Sequence, residues 1–158
     1  MALGHWHGYL WTGPGKDLKD ESLRRPSAPG TPATQEFLRS SLPPMRLGHY
    51  LLRRSAASAD LTWTDVDEAI DWMAATYKSH PPMEGDVGFP AVNGAPPPLA
   101  GDVGLDARRA TSRDGLINGV DAYWQYYTNP NGGIVAYAAI CCPHTHLPDI
   151  PCPLPPRP

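Results

Sequence analysis

The residues of this sequence best suited to chemistry stand in two groups far apart in the chain. The first is Cys141, Cys142, His144, His146 and Cys152, five thiols and imidazoles within twelve residues. Zinc takes four such ligands, as thiolates and neutral imidazoles, in a tetrahedron. Cys141-x-x-His144 has a workable spacing for two of them, and Cys152 can return across the Pro-rich stretch that follows. The usual zinc signature carries a second, separated pair of ligands, and that pair is missing from this segment. His5-Trp6-His7 could supply it. On a strand, residues i and i+2 face the same way about 7 Å apart, so both imidazoles can address one ion. The two groups make one site only if the first strand lies beside the last. The candidate ligands are therefore His5, His7, Cys141, Cys142, His144, His146 and Cys152, with zinc as the candidate cofactor. The competing reading makes Cys141 and Cys142 small buried hydrophobes and the two later histidines solvated loop residues.

Other chemistry has weaker support. The His-hydrophobe-His triplet at 5–7 resembles the metal-binding motif of rolling-circle replication and relaxase nucleases, in which a tyrosine is the nucleophile. Tyr77, followed by Lys78, stands on a predicted later helix as that resemblance would require. Only three residues carry it. The family sets a strand ahead of the triplet where this sequence has four residues, and a net charge of −3 offers no basic surface for phosphates. A Cys-His nucleophile pair has no local signature here. The P-loop, G-x-G-x-x-G, G-x-S-x-G and His-Glu-x-x-His patterns are all absent. Asp65, Asp67, Glu68 and Asp71 read as a solvated helix start, and Tyr123, Trp124, Tyr126 and Tyr127 as core and sheet surface.

These groups need elements to hold them. Residues 3–12 alternate with period 2: His5, His7, Tyr9 and Trp11 share one face, and Gly4, Trp6, Gly8 and Leu10 the other, which predicts a strand. Gly13-Pro14-Gly15 is expected to end it, and about 13–33 reads as an irregular loop with one helical turn near Asp20–Arg24. A short helix is expected at 34–42, stopped by Pro43-Pro44. Residues 45–55 suit a short helix or a strand. The clearest helix is 64–79, with a capping-type Thr64/Asp67 pair, an acidic first turn and the apolar stripe Val66, Ala69, Ile70, Met73 and Tyr77. Residues 81–107 hold six prolines and two copies of Gly-Asp-Val-Gly, and read as a second long loop. Ala122–Thr128 and Ile134–Cys142 flank Asn129-Pro130-Asn131-Gly132-Gly133 and predict a hairpin. The uncharged second strand should be central, with Ala136, Ala138 and Ala139 making room for aromatic neighbours. The tail 144–158, proline-rich, is expected to lie extended on the surface.

Together these elements predict one α+β domain over 1–143. It has a small, mostly antiparallel sheet built from the N-terminal strand and the C-terminal hairpin, one main amphipathic helix, one or two short helices and long Pro-rich loops. Pro (20) and Gly (15) make up an unusual share of the 158 residues, and only 18% are charged. That composition excludes a basic nucleic-acid tail, a polyanion and charge-driven disorder, and net negative charge argues against a nucleic-acid partner. No apolar run reaches the length of a membrane span. The first residues lack the basic and apolar regions of a secretory signal, and Ala2 replaces the glycine that myristoylation needs. Three cysteines without a signal predict reduced thiols and a cytoplasmic location. Abundant Ala, Gly, Pro and Arg suit a GC-rich bacterial source. Two functions are expected on these grounds. One is a small binding or accessory protein acting through a protein partner. The other is a zinc-dependent enzyme or zinc-stabilised domain.

Overall fold

The computed structural model of the chain describes residues 4–83 and 101–158. Its strands are β1 (His5–Pro14), β2 (Thr62–Trp63), β3 (Ala122–Tyr127) and β4 (Gly133–Cys142). They form one antiparallel sheet in the order β2-β1-β4-β3. Three helices are present among the described residues, α1 (Pro32–Arg39), α2 (Val66–Ser79) and α3 (Gly101–Ile117). The architecture is α+β, as the sequence predicts, with the N-terminal strand and the C-terminal hairpin in one sheet. β1 and β4 pair over ten residues, from His5↔Cys142 to Pro14↔Gly133. β4 is central, as its uncharged sequence requires. Ala138 sits between Tyr9 on one neighbouring strand and Tyr123 on the other, so the small side chain gives both rings their space.

Each face of the sheet carries its own layer. On one, Trp63, Trp124, Tyr126, Val135 and Tyr137 pack with Ala69, Ile70, Met73 and Tyr77 of α2 and with Leu105 and Leu116 of α3. The predicted stripe of α2 is thus its buried face, with Val66 only partly covered. Trp72, off that stripe, lies against Trp63 and Tyr137. Gly8 makes the packing possible: a Cβ there would come within 2.5 Å of the Trp63 ring. On the other face, Tyr9, Ile140 and Cys142 meet Tyr50 and Leu51 of a 3-10 turn, Leu47–Leu52, while Trp11 and Ala136 meet Leu42. Arg53 fastens this irregular layer. It is fully buried, stacks on Phe37, and donates to the carbonyls of Phe37 (3.0 Å), Leu42 (2.6 Å) and Leu23 (3.1 Å). Burial lowers its pKa to about 10, so it stays charged at neutral pH.

Several boundaries differ from expectation, each for a local reason. β1 continues through Gly13 and Pro14 because Gly15 N–H reaches Gly132 O and extends the ladder. Pro14 sits at the strand's end, where a missing N–H is tolerated. The segment after it forms 3-10 turns at Gly15–Lys19 and Glu21–Leu23. α1 begins two residues early because Thr31 caps it and Pro32 takes its first turn, and it ends at Arg39, before the prolines. Asp65, which accepts from Asp67 N–H, caps α2 in place of Thr64. The largest correction concerns the expected loop at 81–107. Residues 84–100, with the first Gly-Asp-Val-Gly copy, lie outside the described residues, but the second copy opens α3. That helix closes on Gly119 in the left-handed region, with Val120 N–H returning to Gly115 O. The tail lacks regular structure, as its prolines demand, yet not all of it lies on the surface. His144 and Pro153 are buried, and Ile150 and Cys152 pack against the Tyr9 cluster.

Candidate metal centre

Strand geometry delivers the first three groups of the site. His5 and His7 point to the same face of β1, and the register sets Cys142 directly opposite His5. The tail then brings Cys152 back over this corner of the sheet. The Nε2 atoms of His5 and His7 are 3.1 Å apart. Cys152 Sγ lies 3.4 Å from His5 Nε2 and 3.8 Å from His7 Nε2. One ligand atom from each of His5, His7, Cys142 and Cys152 falls within 4.8 Å of all the others, so the group could hold a metal ion. A tetrahedron with Zn–N near 2.0 Å and Zn–S near 2.3 Å has edges of about 3.3 Å between nitrogens, 3.5 Å from nitrogen to sulfur and 3.8 Å between sulfurs. The separations among His5, His7 and Cys152 are close to those edges, and Cys142 lies within 4.8 Å of all three.

Neighbouring groups prepare the ligands. Thr62 Oγ1 donates to Ser58 O at 2.7 Å, so it can only accept from His7 Nδ1, 3.0 Å away. His7 therefore carries its proton on Nδ1 and turns the Nε2 lone pair into the cluster, the tautomer a metal needs. Burial, then the charge of His5, lowers the His7 pKa to about 4, and burial lowers that of His5. Both rings are neutral at pH 7. Burial and the neighbouring Cys152 push the Cys142 thiol up to about 12. Tyr9 is buried with its hydroxyl unpartnered, and burial followed by Cys142 and Cys152 raises its pKa. It is a spare donor beside the thiols.

The other three candidates lie elsewhere. Cys141 points to the opposite face of β4, into the helix-side core, where burial and then Asp121 push its thiol up to about 12. His144 is buried and fully engaged. Its Nδ1 accepts from His146 and Leu147 N–H, and its Nε2 lies 2.7 Å from Asp121 Oδ2, whose other oxygen accepts from Cys141 N–H. The nitrogen that would face a metal is thus already a donor. His146 is exposed on the tail. Tyr77, the nucleophile that the nuclease resemblance would need, is buried on α2 against Trp124 and Tyr126, across the sheet from the imidazoles. Asp121 and Thr62 were not legible as partners. Thr62 belongs to a two-residue edge strand with no periodicity, and Asp121 follows a helix hidden behind glycines.

Compared with models of known protein families, with curated proteins and with solved structures, the chain matches none of them.

Proposed function

We propose that this protein is a zinc-stabilised α+β domain, with His5, His7, Cys142 and Cys152 as a closed Cys2His2 centre. The observation that carries this reading is the convergence of four ligand atoms, two from β1, one from β4 and one from the tail, within 4.8 Å. Four protein ligands and a largely buried setting suit a structural zinc site, since catalytic zinc keeps a position open for water. Zinc would join the first strand to the tail without regular structure between them. Reduced thiols at 141, 142 and 152 suit a reducing compartment such as the cytoplasm.

Metal analysis of protein purified without an affinity tag tests the reading. About one zinc per chain is expected, lost in a His7→Ala, Cys152→Ser double variant and retained in Cys141→Ser and His146→Ala. A site loaded a thousandfold above its Kd stabilises by about 4 kcal/mol, so chelation should lower Tm by about 10 °C. A metal-free chain that ignores added zinc in both content and melting would refute the centre. The partner-binding reading draws on Ile117 and Val120, 54% and 58% exposed where α3 ends. If that reading holds, Ile117→Ser with Val120→Ser would abolish capture of a partner without changing Tm.

A further inference from the structure

We propose that Cys142 and Cys152 form a reversible disulfide that expels the metal, making the centre a peroxide-sensitive switch; this rests on the zinc reading above. The two sulfurs lie within 4.8 Å of each other, and Cys152 also reaches His5 Nε2 at 3.4 Å, so both thiols sit in one cluster. Cys142 is held in the central strand, whereas Cys152 belongs to a segment without regular structure and is partly exposed. The moving partner is therefore the accessible one, and the short approach to a sulfur–sulfur bond falls on the tail rather than on the sheet. Cys141 is close in sequence but projects from the other face of β4 into the helix-side core, so the strand's alternation keeps it out of the pair.

The oxidant is a hydroperoxide. The Cys152 thiolate attacks the terminal peroxide oxygen, the O–O bond breaks, and a sulfenic acid forms at Cys152 while water or an alcohol leaves with one proton. The Cys142 thiolate then attacks the sulfenic sulfur and displaces hydroxide, which takes up a second proton. Two electrons pass from the two sulfurs to one O–O bond, and two protons are consumed. With both thiolates gone, only the two imidazoles remain as ligands, and the ion departs. The product keeps the tail covalently attached to β4 in place of the metal. A dithiol reductant reverses the bond and restores the site.

The experiment uses the full chain loaded with zinc and treated with hydrogen peroxide, with a colorimetric zinc chelator and intact-mass and peptide mapping as readouts. Release of one zinc per chain is expected, with loss of the mass of two hydrogens and a mapped Cys142–Cys152 bridge. Dithiol treatment should restore stoichiometric zinc uptake. Cys141→Ser should behave as the wild type, so the result does not depend on a variant in the site. Zinc retained through the treatment overturns the switch alone. So does release with unlinked sulfinic acids, or with a bridge that includes Cys141. A chain that takes up no zinc overturns the centre itself, and the switch with it.

Discussion

Arg53 and His7 show how much a single side chain contributes to this molecule. Arg53 brings a full charge into a layer that has little regular structure, and three carbonyls from separate segments satisfy it. Replacing it by leucine strands the Leu42 and Leu23 carbonyls without a donor, whereas Phe37 O keeps the N–H of Ser40. Unsatisfied buried groups cost about 1–3 kcal/mol each, so Arg53→Leu should lose at least about 2 kcal/mol in urea unfolding, and Arg53→Lys should recover only part of it. A change below about 1 kcal/mol would show that the carbonyls find other donors. Nothing in the local pattern distinguishes Arg53 from Arg54, since burial of an arginine is decided by the carbonyls that surround it. His7 is the contrasting case. Its role was legible, because i, i+2 spacing on a strand fixes which side chains share a face. The hydroxyl that selects its tautomer comes from position 62, and no spacing rule reaches that far.

Elements follow the sequence where a periodic pattern and punctuation agree, as in α2 and the β3–β4 hairpin. They depart where glycines dilute the pattern, as in α3. That helix contains Gly104 and Gly115, and it is held by Leu105 and Leu116 against the core and by ion pairs from Arg109 to Asp71 and Arg113 to Asp67. Those contacts, not intrinsic propensity, select it. The ion pairs are exposed and contribute little. The apolar contacts of the layer matter more, and Gly8 probes them directly. A methyl group there meets the Trp63 ring, a rigid body wedged against Trp72. Overpacking of this kind costs about 1–3 kcal/mol, so Gly8→Ala should lower Tm and disturb the tryptophan near-UV signal. An unchanged near-UV spectrum and melting point would mean that Trp63 can swing aside.

At the scale of the whole molecule, the metal-free chain should be acid-sensitive. His5, His7 and His49 all have pKa values lowered by burial from the ordinary 6.5, His7 to about 4. The folded chain therefore resists protons that the unfolded chain accepts. Stability is full above pH 6.5, falls as pH drops below it, and His7 has contributed all of its loss once the pH passes below about 4. Urea midpoints of chelator-treated protein at pH 7, 5.5 and 4.5 should decline in that order; a midpoint that rose on acidification would contradict the histidine burial. Among the described residues no helix is long and apolar enough to cross a membrane. The pairing of β1 with β4 also bears on how the chain is made. Every rung of that ladder joins residues well over a hundred positions apart, and translation runs at about 5–20 residues per second. The nascent first strand must wait on the order of ten seconds for its partner to leave the ribosome. It carries Trp6, Tyr9 and Trp11 without their sheet partner through that interval, so a chaperone that shields emerging chains should raise the yield of folded protein.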